Sequence, residues 1–277
     1  MPELPEVETV LRILEQQLQD HKIVDIEVPY PKLLHQVAVA DFKAKLIGKT
    51  WQKFDRRGKY LCFRIDDQQL YCHLRMEGKF YFYDKTEAFE RKHVHLIFYL
   101  DDGHLLCYHD TRKFGRFYLY DQDETPECLA ALGYEPWDQN LDAKGFYQML
   151  HQRKVALKDF LLDQRYVTGI GNIYANEACF AAKLHPYMLT NTITRKDSEE
   201  LLKQIRRILE NAIASGGTSI RTYTASLGVT GRFQLHLYVY QRAGEPCLVC
   251  QSPIVKQMFK GRGTFYCKTC QRKGAPK

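Results

Sequence analysis

Four cysteines near the end of the chain constrain most strongly what it can fold into. Cys247 and Cys250 are two residues apart, sixteen residues follow, and Cys267 and Cys270 repeat the spacing. Each Cys-x-x-Cys bends two thiolates toward one point, and two such knuckles supply the four sulfur ligands of a closed tetrahedral zinc site. The competing reading is a pair of redox dithiols. A closed site does no chemistry; its metal folds a small module. The other five cysteines, Cys62, Cys72, Cys107, Cys128 and Cys179, are scattered. The Met1-Pro2-Glu3 start carries glutamates and does not read as a secretory signal. The thiols are therefore expected to be reduced, and the cluster to hold metal and not disulfides.

Around that module the chain is long enough, at 277 residues, for two domains or one large one. No apolar run approaches the roughly 18 residues that span a bilayer. The net charge of +7 is too small to name a partner, but it is unevenly placed. Residues 1–140 hold 19 Lys and Arg against 24 Asp and Glu, whereas residues 141–277 hold 21 against 9. Such asymmetry suggests a polyanion, nucleic acid or a membrane surface, although a solvated basic face would look the same. Residues 240–277 alone carry eight basic residues and one acid, Glu245, so the whole +7 can be assigned to the cysteine-bearing tail. Within it, Arg262 lies between Gly261 and Gly263 at an expected hairpin tip, placed either to meet a groove or phosphate or simply to sit in solvent.

Periodicity divides the remainder. Val7, Val10, Leu11, Leu14 and Leu18 share one helical face, with Pro5 in the first turn where proline is tolerated. From Lys22 to Tyr120 short runs rich in Tyr, Phe, Val and Ile recur, among them KYLCFRI, KFYFYD, VHLIFYL and RFYLY, and these read as antiparallel strands. Asp102-Gly103 between two of them is a hairpin signal. Residues 121–140, with Pro126, Gly133, Pro136 and many acids, read as a boundary. Helical periodicity returns around 143–151, 155–164, 173–182 and 197–214, and the tail from about 233 reads as strand. The expected class is α+β: an N-terminal antiparallel β-sandwich with a leading helix (1–130), a helical domain (131–232) and a four-cysteine β-hairpin finger (233–277).

The N-terminus has chemical potential of its own. Without Met1, Pro2 presents a secondary α-amine whose pKa near 7.7–8.0 leaves roughly a tenth unprotonated at pH 7, against less than a thousandth of a typical lysine. Attack on a sugar C1′ or an aldehyde would give a cationic iminium, an electron sink suited to elimination, with Glu3 and Glu6 beside it to move protons. Prolines and acids are also ordinary helix starters.

Six blocks in one order then resolve the reading: MPELPEVETV at 1–10, RRGKY at 56–60, HLRMEGKF at 73–80, DTRKFGR at 110–116, GIGNIYANE at 169–177 and the terminal finger. Over essentially its whole length the chain resembles the bacterial formamidopyrimidine-DNA glycosylase (MutM) family of the helix–two-turn–helix superfamily. Leu4, where the endonuclease VIII branch typically has glycine, favours the formamidopyrimidine branch over that pyrimidine-directed alternative. The resemblance implies a monomeric, cytoplasmic base-excision-repair enzyme, nucleoid-associated when bound. It would excise 8-oxoguanine and formamidopyrimidines from damaged double-stranded DNA lying across the cleft between its domains, then cleave the abasic site by β,δ-elimination through a Schiff base. One structural zinc and no membrane are expected.

The resemblance also implies residue roles. Pro2 would be the nucleophile, Glu3 the general acid or base, and Glu6 an organiser of the N-terminus. Lys59 would approach the lesion and its phosphates; an isolated lysine there would otherwise read as a strand-edge charge. Met76, Arg112 and Phe114 would fill the hole left by the extruded base, as wedges do elsewhere, with Arg112 facing the orphaned partner base; Met76 and Phe114 could otherwise be core. Asn172, after Gly169-Ile-Gly171, would contact phosphate and also reads as a helix N-cap. His73 and Lys158 match further DNA contacts, and Glu77 a position near the lesion pocket. Ser219, Ile220, Arg221, Thr222 and Tyr223 would cap the flipped base. Departures are small: Leu11-Arg12 replaces a frequent arginine pair, and Leu248-Val249 and Met258-Phe259 stand in the finger where polar or small residues are common.

Overall fold

The expected N-terminal helix runs over Leu4–Leu18 (α1) in the computed structural model, which describes residues 1–217, 236–272 and Gly274. The Glu3 carboxylate accepts the Glu6 backbone N–H, and the Glu6 carboxylate accepts the Glu3 N–H at 2.9 Å. This reciprocal capping box satisfies two of the donors that a helix start leaves open, with negative charge where the helix dipole favours it. Val7, Leu14 and Leu18 are fully buried and Val10 and Leu11 nearly so. Each such side chain contributes roughly 1.5–3 kcal/mol relative to exposure.

Behind α1 stand two four-stranded antiparallel sheets. One is ordered β1 (Ile23–Glu27), β6 (Val94–Leu100), β7 (His104–His109), β5 (Lys79–Asp84); the other β2 (Trp51–Arg57), β3 (Tyr60–Ile65), β4 (Gln68–His73), β8 (Arg116–Asp121). The sheets face each other through aromatic side chains. Trp51 meets Phe98 edge-on at 5.4 Å, and Phe117 meets Tyr108 at 5.0 Å. Helix α1 packs on β2 and β3, and its apolar face joins the same core. The Asp102-Gly103 turn links β6 and β7, with Gly103 at φ 90, where a side chain would be strained.

Two elements had no sequence reading of their own. Helix α2 (Val39–Leu46) buries only Phe42 and Leu46, and β2 has a register shift between Trp51 and Lys53. The shift leaves Trp51 and Phe54 both buried three positions apart, which breaks the alternation that marks a strand.

The described residues form two compact units: residues 1–130 with Gly216 and Gly217, and residues 131–215 with those from 236 onward. The second unit contains α3 (Ala143–His151), α4 (Leu157–Leu162), α5 (Asn172–Ala181), α6 (Arg195–Ala214) and the hairpin β9 (Ile254–Phe259)–β10 (Arg262–Cys267). Asp142 caps α3 by accepting the Gly145 N–H, and Thr194 caps α6 by accepting that of Asp197. Helix α5 lies against α4, α6 and β10. The tail is strand only from Ile254; His236–Pro253 is turn and irregular backbone, a correction to the strand expected from about 233. There the backbone pairs through an isolated antiparallel bridge between Pro246 and Pro253, beside the Arg242–Glu245 pair and the knuckle turn. No helix of the described residues is long and apolar enough to cross a membrane.

Candidate active site and nucleic-acid interface

Pro2, Glu3 and Glu6 are all buried at the start of α1, with Glu3 only 2% exposed. In the chain as it stands Met1 precedes Pro2 and lines a shallow cavity of about 380 Å³ together with Arg75, Met76, Phe114 and Arg116. Gly217 closes on the other side of the capping box: a Cβ there would lie 2.9 Å from the Glu6 carboxylate, and its φ of +76 disfavours any side chain. Lys59 follows Gly58, at φ 56, in the β2–β3 turn. It is 6% exposed, so the solvated strand-edge alternative does not describe it. Arg56 ties that turn to α1, donating to Glu8 at 3.0 Å and to the Gly58 carbonyl at 3.0 Å. The amine-bearing terminus and the lysine turn are thereby held to one helix.

Met76 and Phe114 are not core residues: they are 38% and 47% exposed. Met76 sits in the turn after β4, and Phe114 in the turn between β7 and β8, where the Arg112 guanidinium stacks on its ring at 4.7 Å. Glu77 is half-buried beside Met76. His73 ends β4, is buried, accepts the Arg75 N–H on Nδ1 and packs edge-on against Tyr60. Burial, then the nearby Arg75 and Lys59 charges, push its pKa down to about 3. Between pH 6.5 and about 3 the unfolded chain therefore binds a proton that the folded chain refuses. Stability should fall with falling pH across that window, by about 1.4 kcal/mol per pH unit, and the term vanishes above pH 6.5. His109, lowered to about 4 chiefly by burial, acts in the same direction. Urea unfolding of a His73→Gln chain between pH 7 and 4.5 should show a shallower acid limb than the parent; an unchanged slope would contradict the assignment.

In the second unit several expected residues converge on the finger hairpin. Lys158 is 1% exposed, and its ammonium donates to the Gly263 carbonyl (2.9 Å) and the Thr264 hydroxyl (2.8 Å). Asn172 donates to the same carbonyl at 3.2 Å, and Asn176 accepts the Phe265 N–H at 2.9 Å. Asn172 is not the N-cap: Gly171 holds that position and Asn172 is the first helical residue of α5, so its amide serves the hairpin and not the helix end. Lys260 and Gly261, both at positive φ, form the hairpin turn, and Arg262 is the exposed first residue of β10 just beyond it. Residues Ser219–Tyr223 lie outside the described residues.

The four terminal cysteines meet. Their sulfurs lie within 4.8 Å of one another, with Cys247–Cys270 at 3.9 Å and Cys250–Cys267 at 3.4 Å. Zn–S bonds of about 2.3 Å in a tetrahedron imply S···S edges of about 3.8 Å. The Val249 and Cys270 amides donate to Cys247 and Cys267 sulfur, which suits thiolates. The donor set fits one structural zinc. Glu177 supports the module from α5, its buried carboxylate accepting the N–H groups of Tyr238, Val239 and Tyr240 at 2.8–3.0 Å.

Family models match three stretches: the formamidopyrimidine-DNA glycosylase N-terminal domain over residues 1–117, the formamidopyrimidine-DNA glycosylase H2TH domain over 132–224, and the zinc finger found in FPG and IleRS over 244–272. Formamidopyrimidine-DNA glycosylase of Bacillus licheniformis is 42% identical over 276 residues, covering 99% of this chain and 100% of that one. The chain belongs to the formamidopyrimidine-DNA glycosylase family. The Ligilactobacillus salivarius member is 43% identical over 98% of this chain and 99% of its own. Two solved complexes of Lactococcus lactis Fpg, one with DNA containing N7-benzyl-Fapy-dG and one with abasic-site DNA, each match with a TM-score of 0.92 at 42% identity, covering 98% of this chain and 100% of theirs. This family member is thus an α+β enzyme with a β-sandwich, a helical H2TH region and a zinc hairpin. Arg56 and Glu177 escaped the sequence reading because each acts through backbone groups or charges that only the fold brings near.

Proposed function

We propose that this chain is a bifunctional glycosylase and AP lyase that removes oxidised purines from duplex DNA in base excision repair. The observation that carries the reading is the buried Pro2-Glu3-Glu6 capping box beside the cavity lined by Met1, Met76 and Phe114, with the Lys59 turn fixed to the same helix through Arg56 and Glu8. With Met1 removed, the Pro2 secondary amine attacks C1′ of the extruded nucleotide and the glycosidic bond breaks, releasing the base. Glu3 protonates the sugar ring oxygen as the ring opens, leaving an iminium between Pro2 and C1′. Loss of a C2′ proton expels the 3′ phosphate. A second elimination expels the 5′ phosphate and leaves a one-nucleotide gap, and water then hydrolyses the iminium, freeing the Pro2 amine and releasing the sugar remnant as an unsaturated aldehyde.

The other roles follow the same division. Lys59 presents its charge to lesion and phosphates, as a lysine suits, and Glu77 borders the lesion pocket. Met76, Arg112 and Phe114 fill the vacated stack. Residues 131–232 and the finger, 233–277, grip the backbone, with Arg262 exposed on a hairpin that Lys158 and Asn172 secure; His73 braces the Met76 turn. The capping role of Ser219–Tyr223 rests on the resemblance alone. The DNA complexes of the Lactococcus lactis relative, with a formamidopyrimidine and with an abasic site, support this substrate class. The enzyme would work in the bacterial cytoplasm on the nucleoid.

A single-turnover comparison tests the lesion class. Excision of 8-oxoguanine opposite cytosine should be at least about tenfold faster than excision of thymine glycol, since a site built around polar groups of one base rejects a base lacking them. The reverse order would assign the chain to pyrimidine repair.

A further inference from the structure

The segments that carry Met76 and the Arg112–Phe114 pair each cross from one sheet to the other, β4 to β5 and β7 to β8, and both are supported from the end of β7. Asp110 is fully buried at the end of β7. Its carboxylate accepts the backbone N–H of Arg112 at 3.0 Å, of Phe114 at 2.8 Å and of Gly115 at 2.8 Å. Its own carbonyl is contacted by His95 Nε2 at 2.8 Å, and its N–H donates to the His93 carbonyl. A single carboxylate thus fixes the backbone on either side of both side chains, including Lys113 at φ 57.

Two residues earlier on the same strand, Tyr108 is fully buried, its ring against Phe80 and Phe117. Its hydroxyl reaches the Met76 turn and the Phe114 turn together. A Cβ on Gly78 would fall 2.1 Å from that oxygen, and one on Gly115 1.8 Å from it. Neither glycine has a positive φ, so each is required by what packs against it: Tyr108 at Gly115, and Tyr108 together with the Leu74 carbonyl, 2.5 Å from such a Cβ, at Gly78. The Gly78 N–H closes its own turn on the Leu74 carbonyl at 3.0 Å.

We infer that Asp110 and Tyr108 are positioning residues that hold the two wedge-bearing turns in one fixed register before DNA arrives, so that extrusion of the base costs little loop ordering. This rests on the reading of Met76, Arg112 and Phe114 as fillers of the vacated stack. Neither residue touches the reacting atoms. Their effect falls on the step that opens the duplex and not on the chemistry at C1′. A preorganised wedge loses no loop entropy on insertion, whereas a loosened one must be ordered at that moment.

The experiment separates the two steps. Wild type, Asp110→Asn and Tyr108→Phe are each assayed for single-turnover excision from an 8-oxoguanine:cytosine duplex. Borohydride trapping on a single-stranded oligonucleotide with a preformed abasic site, where nothing has to be extruded, is run in parallel. Asparagine offers one acceptor oxygen where the carboxylate offers two, so buried amides lose their partner. Duplex excision by Asp110→Asn should fall about ten- to hundredfold, while single-strand trapping stays within about twofold. Tyr108→Phe removes the hydroxyl packed between Gly78 and Gly115 and keeps the ring, leaving a gap between the two turns, and should show the same split at about three- to tenfold. If Asp110→Asn does not fold, Tyr108→Phe decides alone. Equal losses in both assays, or no loss in either, would overturn the inference. Absence of trapping by the wild type would instead overturn the underlying lyase reading.

Discussion

A Glu3→Gln chain should excise 8-oxoguanine roughly 10²- to 10⁴-fold more slowly than the parent in single turnover, the range lost when a positioned general acid–base group is removed. The fold should survive. Glu3 is a helix N-cap whose carboxylate accepts the Glu6 N–H, and glutamine keeps a carbonyl oxygen for that bond. The melting temperature should therefore move by only a few degrees, since a cap weakened but retained is worth about 1 kcal/mol or less. The protonation change is what the substitution removes. A loss smaller than about tenfold, with the same melting temperature, would show that Glu3 is a cap and nothing more.

Cys250→Ser should release zinc and open the finger, with DNA affinity falling on the order of 10²-fold or more as the basic tail loses its shape. Structural zinc binding is folding free energy, on the order of 10–16 kcal/mol, and three thiolates with a hydroxyl hold the metal far less well. The core of this module is small, essentially Val239, Ile254, Phe265 and the ligands Cys247 and Cys267 packed on Phe180. It offers little to replace the metal. Lys158 and Asn172 would then lose the Gly263 carbonyl they share, so the damage reaches α4 and α5. Metal analysis and a salt titration of duplex binding read both effects. Stoichiometric zinc with full affinity would contradict the account.

The sandwich was legible where aromatic and β-branched residues crowd, as in β5 and β6, whose ends match the runs KFYFYD and VHLIFYL. Helix α1 was legible because five apolar residues repeat at helical spacing from Val7 to Leu18. Helix α2 was not, because eight residues with two buried side chains and an alanine N-cap leave no period and no start signal. The site shows the same contrast. The four cysteines announce themselves by spacing. Glu177 and Asp110 do not: Glu177 binds amides more than sixty residues away, and Asp110 binds those of its own turn, a role any loop aspartate shares. The burial of Lys59 needed the fold, since nothing local to Gly58-Lys59 says which way the turn faces.

In the proposed reaction the amine of Pro2 performs the chemistry. Borohydride reduction during reaction with an 8-oxoguanine:cytosine duplex, followed by proteolysis and mass spectrometry of the cross-linked peptide, tests it most directly. The account predicts one covalent adduct, on the amino-terminal peptide, at the Pro2 nitrogen of a chain that has lost Met1. No adduct at all, or an adduct carried by a lysine such as Lys59, would contradict it.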